Sequence, residues 1–223
     1  MQELISNVSA YVEKHMSNYD GSHDFHHILR VVGLAHRIHD EMTIPITGND
    51  TKLPILDRDV ITLSALLHDV GDRKYVKEGE DAQTMVRDVL LNFGASYELA
   101  ERVQTICLGV SYSSEIKNLD FAADLISRYP ELACVQDADR IDAIGATGIG
   151  RLFTYGGAKT KRSMDGSINI MDEKLFKLED MMKTASGKIL ARERTRRLRE
   201  FHSWWEEEMD VACPHSGPIF QRH

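Results

Sequence analysis

The chain has 223 residues, 42% of them hydrophobic, with 27 Lys and Arg against 35 Asp and Glu and a formal net charge of -8. That length and apolar content suffice to bury the core of one domain, and no run of eighteen or more apolar residues offers a transmembrane helix. The negative balance argues against a chain that coats nucleic acid over its whole surface, because such binding depends on Lys and Arg neutralising phosphates; local basic patches stay open.

Residues 2–16 read as a helix with Leu4, Ile5, Val8, Tyr11 and Val12 on one face, broken by the turn-forming Tyr19-Asp20-Gly21-Ser22. The charges spread through Met1 to Tyr19 are unlike a signal peptide, so a cytoplasmic protein is expected, with the nucleus as an alternative. Asp24 is placed to cap a second helix whose apolar positions Ile28, Val31, Val32, Ala35 and Ile38 recur with helical spacing to about Met42. Thr43 to Leu56, with two prolines and Gly48-Asn49-Asp50, reads as a loop.

Asp57 precedes Val60, Leu63, Ala65, Leu66 and Leu67, a dense apolar run expected to form a buried helix that stops at His68-Asp69-Val70-Gly71. Short helices are expected over 80–92, over 96–108 behind the capping Ser96, and over 121–128. From Pro130, the spacing of Leu132, Val135, Ala138, Ile141 and Ile144 predicts a longer helix running to Gly145. The glycine-rich segment from Gly145, carrying Arg151, Lys159, Lys161 and Arg162, is expected to be a flexible functional loop to about residue 170. A last helix, about 172–208, joins Leu175, Leu178, Met181, Met182, Ile189 and Leu190 to a basic stretch, Arg192 to Arg199, and an acidic one, Glu206 to Asp210. No strand or internal repeat is evident. The expectation is therefore one all-α domain over 1–223, with its motif-bearing core at about 20–145.

Ten histidines, five of them between His23 and His39, hint at metal chemistry. The three cysteines, Cys107, Cys134 and Cys213, are odd in number and widely spaced, and suggest neither a disulfide framework nor a thiolate zinc site. His68-Asp69 is the decisive pair. It follows an apolar run, where an imidazole and a carboxylate each need a partner, and a divalent cation serves both. Adjacent helical residues diverge by about 100°, so neighbours grip one ion only near a helix end, which Gly71 marks. His27 and Asp139 are the best-placed further ligands. Asp142 lies on nearly the same side as Asp139, and whether it replaces or assists Asp139 stays open.

The order His27, His68-Asp69, Asp139 resembles the H…HD…D signature of the HD superfamily of metal-dependent phosphohydrolases. The segments Ser22 to Val31, Ala65 to Lys74 and Gln136 to Gly145, with Gly150-Arg151 and Tyr155 to Lys159, are similar to small stand-alone HD hydrolases of bacteria and fungi. The likeness spans roughly residues 20 to 200. It implies an all-α, HD-type helical bundle holding one divalent ion through His27, His68, Asp69 and Asp139. Mixed imidazole and carboxylate ligands suit Mn²⁺, Fe²⁺, Co²⁺ or Mg²⁺ better than they suit a closed structural zinc site; Mn²⁺ is the first expectation, with Co²⁺, Fe²⁺, Mg²⁺, Ni²⁺ and Zn²⁺ as alternatives. Such an ion polarises a phosphoryl oxygen and acidifies a bound water. His68, Asp69 and Asp72 form the implied catalytic group, with Asp72, three residues beyond Asp69, as candidate proton acceptor.

For substrate binding the candidates are Lys74, Arg140, Arg151, Lys159 and Lys161, as phosphate partners set against the plainer reading of solvated surface charge. His23, four residues before His27, is placed either to share the site or to cap the helix, whereas His26 points elsewhere. Trp204-Trp205 reads as packing against the core or a partner subunit, which leaves room for a homodimer. The resemblance implies hydrolysis of small phosphorylated substrates, nucleotides first: a nucleoside triphosphate cut to monophosphate and pyrophosphate, or a 5′-phosphate removed. The alternatives are a phosphodiesterase of cyclic or oligonucleotides and a non-catalytic nucleotide-binding regulatory module. Neither nucleic acid nor membrane is an expected partner.

Overall fold

Three side chains that the sequence marks as helix caps do that work in the computed structural model, which describes residues 1–17, 19–43, 55–71, 79 and 81–212. Asp24 accepts from the His27 N–H, Asp57 from those of Asp59 and Val60, and Ser96 from that of Leu99. Each satisfies a donor that the first helical turn leaves without an intrahelical partner.

The helices run in the order α1 (Gln2–Met16), α2 (Phe25–Met42), α3 (Arg58–Leu67), α4 (Met85–Asn92), α5 (Tyr97–Val110), α6 (Tyr112–Glu115), α7 (Leu119–Arg128), α8 (Glu131–Asp142), α9 (Gly145–Tyr155), α10 (Met164–Glu173) and α11 (Ala185–Ala212). A π-helical turn, Gly156–Thr160, follows α9, and two 3-10 turns, Leu175–Lys177 and Glu179–Met181, separate α10 from α11. There is no strand among the described residues, so the all-α class holds. None of the described helices is long and apolar enough to cross a membrane.

The core forms around α8, which packs against α2, α3, α5 and α11. Leu132, Val135, Ala138 and Ile141 are fully buried there, opposite Ile28, Val31 and Ala35 of α2 and Leu63 and Leu67 of α3. Asp139 is the one residue of α8 that is not buried, so the central helix reaches solvent only there.

Two expectations are corrected. The segment from Gly145 is not a flexible loop but α9, the π turn and α10. Leu152 is buried and Ile149 and Phe153 pack on the core, and this tertiary burial outweighs the low helix propensity of the glycines. Gly148 is small for contact, since a Cβ there would lie 2.2 Å from the Ala143 carbonyl oxygen. The expected helix over 172–208 is also divided, because Met182 takes an extended conformation and Thr184 starts α11 afresh, its hydroxyl accepting from the Gly187 N–H. Of the tryptophan pair, Trp205 packs on Phe153, with ring centroids 5.6 Å apart, while Trp204 stays 59% exposed.

The start of α11 is pinned to α8 by Asp137, whose carboxylate accepts from the N–H groups of Lys183 and Thr184 and from the Thr184 hydroxyl. A Cβ at Gly187 would lie 2.3 Å from Asp137 Oδ2, an atom held too firmly to yield. Gly187→Ala should therefore cost about 2 kcal/mol and lower the melting temperature by roughly 4–8 °C, read by thermal unfolding followed by circular dichroism.

Candidate metal centre

Three helices deliver the charged and imidazole groups of the site. His27 stands in the first turn of α2, set by the Asp24 cap. His68 closes α3, where the apolar run ends, with Asp69 next to it. Asp139 and Asp142 lie in the last turn of α8.

The hydrogen bonds fix which ring nitrogens carry protons. His27 Nδ1 lies 2.8 Å from Asp142 Oδ2, and His68 Nδ1 lies 2.9 Å from the Ala65 carbonyl oxygen. A carboxylate and a carbonyl can only accept, so both Nδ1 atoms are donors, which turns both Nε2 atoms inward as the positions an ion can take. Those two Nε2 atoms are 3.2 Å apart.

The carboxylates add acceptors to the same point. Asp69 Oδ2 lies 3.3 Å from His27 Nε2 and, though buried, makes no hydrogen bond. Asp69 Oδ1 lies 3.5 Å from His68 Nε2, and Asp139 Oδ1 lies 3.7 Å from each Nε2. Ligand atoms of His27, His68 and Asp139 all fall within 4.8 Å of one another. Around one ion with bonds of about 2.1 Å, neighbouring ligands stand about 3 Å apart and opposite ones about 4.2 Å. The ligand atoms of His27, His68 and Asp139 at such spacings, with Asp69 beside them, fit a divalent cation.

Electrostatics agree with that reading. Burial works against charge on His68, yet the Asp69 and Asp139 carboxylates override it and push the imidazole up to about 9. Against the same burial, His68 and His27 hold Asp69 and Asp139 well below the usual carboxylate range. His27 and Arg30 bring Asp142 down to about 2 despite its enclosure.

The remaining candidates fall into different places. Asp142 is fully buried and orients His27, so it stands behind a ligand of the centre. His23 Nδ1 lies 2.7 Å from Ser22 Oγ, and its ring sits edge-on 6.0 Å from that of His27. Arg151 points inward, donating to the Ser22 carbonyl and to Asp142. Lys159 and Lys161 are exposed on and just after the π turn. Asp72 and Lys74 lie outside the described residues.

Arg140 does not face a substrate in this fold, and that expectation is corrected. It is 2% exposed and pairs with Glu115 and the Gln136 carbonyl, because one residue beyond Asp139 the helix has turned about 100° away. The stretch Arg192 to Arg199 is laced with acids: Arg192 pairs with Glu179, and Arg196 and Arg197 pair with Glu193. His26 is exposed, and His36 bonds Thr62.

Sequence reasoning missed Arg30, which grips both oxygens of Asp142 through Nε at 2.8 Å and Nη2 at 3.0 Å. Its one available signal was its position, three residues after His27 and so on a neighbouring part of the helix face.

Residues 24–144 match the family model described as HD domain. The uncharacterized protein YpgQ of Bacillus subtilis is 31% identical over 214 residues, which is 94% of this chain and 96% of that protein. A crystal structure of YpgQ in complex with ADP matches with a TM-score of 0.69 at 27% identity, over 96% of this chain and 97% of that one. A crystal structure of an HD-superfamily hydrolase from Bacillus thuringiensis matches with a TM-score of 0.65 at 31% identity, over 94% and 98%.

In the metal-free protein at pH 7 the His68 imidazole, at about 9, holds a proton on Nε2, which an arriving ion must displace. Mn²⁺ uptake at pH 7 should therefore release about one proton per site and should strengthen as the pH rises towards 9. Titration calorimetry in two buffers of different ionisation enthalpy reads that proton; an observed enthalpy identical in both would overturn the assignment.

Proposed function

The chain belongs to the HD-domain family, and on that premise we propose that it is a divalent-metal-dependent phosphohydrolase of nucleotides. The preferred reaction cuts a nucleoside triphosphate to monophosphate and pyrophosphate, with removal of a 5′-phosphate as the other candidate. The observation that carries this reading is the convergence of two imidazole Nε2 atoms and two carboxylates on one point, open to solvent on the side of Asp139. The nucleotide class draws support from the relative YpgQ, whose structure is in complex with ADP.

Held there, a divalent ion, Mn²⁺ by the donor set, supplies Lewis-acid activation of a phosphoryl oxygen and of water. The chain's own residues do the rest. Asp142 keeps the His27 lone pair directed inward. Asp72 is assigned as the group that takes the proton from the attacking water. His23, Lys74, Lys159 and Lys161 are assigned to the phosphates of the substrate. Cys107 and Cys134 are free and buried, which suits a reducing, cytoplasmic setting.

The test is a screen of nucleoside triphosphates and monophosphates against stripped protein reloaded with Mn²⁺, Co²⁺ or Mg²⁺, with pyrophosphate and phosphate measured separately. Pyrophosphate from triphosphates is the expected result, and full activity without metal refutes the reading. His68→Ala and Asp69→Ala should each lose metal uptake and turnover together. Asp72→Ala should keep the metal and lose about 10²- to 10⁴-fold in kcat.

A further inference from the structure

We propose that Arg151 is a positioning residue, a single guanidinium that fixes the metal ligand His27 through Asp142 and, at the same time, the substrate-facing His23 through the turn before α2. The part that concerns His23 rests on the nucleotide reading above. The part that concerns His27 does not.

Asp142 is fully buried and surrounded by donors: His27 Nδ1 at 2.8 Å, Arg30 Nε and Nη2 at 2.8 and 3.0 Å, and Arg151 Nη1 at 3.2 Å. Held in this way, its carboxylate cannot swing, and neither can the His27 ring that donates to it. The same guanidinium reaches a second acceptor with Nε, 2.7 Å from the Ser22 carbonyl oxygen. With two nitrogens turned inward and a side chain 13% exposed, Arg151 is built as a strut and not as an open fork for phosphate.

Ser22 is the other end of the strut, and it is 1% exposed. Its N–H and its hydroxyl both donate to Asp20 Oδ1, and the His23 N–H donates to the Asp20 carbonyl, 2.9 Å away. Since the hydroxyl proton goes to Asp20, Ser22 Oγ accepts from His23 Nδ1 at 2.7 Å. That commits Nδ1 to the turn. The His23 ring stands 5.5 Å from that of Tyr155, which lies four residues after Arg151 on the same face of α9. One helix therefore braces the turn with its Arg and the imidazole with its Tyr.

Arg30 provides the contrast, because its bonds go to Asp142 and not to the turn. Three variants separate the two functions: Arg151→Lys, which keeps the charge but cannot span two acceptors, Arg30→Lys, and Ser22→Ala. Mn²⁺ affinity is measured by calorimetry without nucleotide, and ADP affinity is measured at saturating Mn²⁺. Arg151→Lys should weaken Mn²⁺ roughly 10-fold and also weaken ADP severalfold. Arg30→Lys should weaken Mn²⁺ alone, and Ser22→Ala should weaken ADP alone.

Arg151→Lys with wild-type Mn²⁺ affinity would overturn the proposal, and weakened ADP beside it would make Arg151 an ordinary phosphate contact. If that variant loses its fold by circular dichroism, the separate losses of Arg30→Lys and Ser22→Ala decide, and their failure to separate overturns it equally. Wild-type protein that binds no ADP sinks the nucleotide reading, and the Mn²⁺ measurements then judge the His27 half on their own.

Discussion

Two imidazole nitrogens held 3.2 Å apart and facing one point are the constraint on which this structure turns. With no positive charge between them their lone pairs would repel, and two carboxylates on the same point would make matters worse. Folding tolerates the arrangement because each ring is held from behind, His27 by Asp142 and His68 by the Ala65 carbonyl. The rings are oriented by groups that never touch the centre, and the strain this leaves is removed by a positive charge, whether proton or metal.

Helix α8 makes that possible by sending consecutive polar side chains in different directions. Asp137 takes hold of the start of α11, Asp139 faces the centre, Arg140 pairs with Glu115, and Asp142 receives His27. At about 100° per residue, one turn and a half of helix serves three neighbours and the metal. The burial of so much charge is tolerable because Asp137, Arg140 and Asp142 are each paired with partners brought in from α2, α6, α9 and the turn before α11. Orientation of the ligands is thereby tied to the packing of the whole bundle.

This logic explains what could be read from sequence. Asp24, Asp57 and Ser96 announced three helix starts because capping is local, a matter of two or three residues. The apolar spacing of α2, α3 and α8 was equally plain, and it placed His27, His68, Asp69 and Asp139 near helix ends or on inner faces. What could not be read was pairing across distance. Arg30 and His27 meet Asp142 from more than a hundred residues away, and no spacing rule selects Asp142 over Asp139 as the brace. Arg140 was misassigned for a related reason, since its charge suggested phosphate while its helical phase put it against a buried glutamate. The glycines after Ile144 misled in the opposite direction: Gly148 permits close packing, and a count of glycines alone reads as flexibility.

The exposure of the ligands gives the centre a direction. His27 and His68 form a floor that is closed to solvent, with side chains 0% and 1% exposed, while Asp69 and Asp139 form a rim at 15% and 27%. A substrate must therefore arrive over carboxylates, which repel phosphate. Asp69, Asp139 and Asp142 are matched by Arg30, Arg151 and the proton on His68, so without metal the pocket carries no net charge. A divalent ion that displaces that proton leaves one net positive charge. On the proposed function, metal loading therefore favours the phosphate that follows it, because it turns a neutral pocket positive.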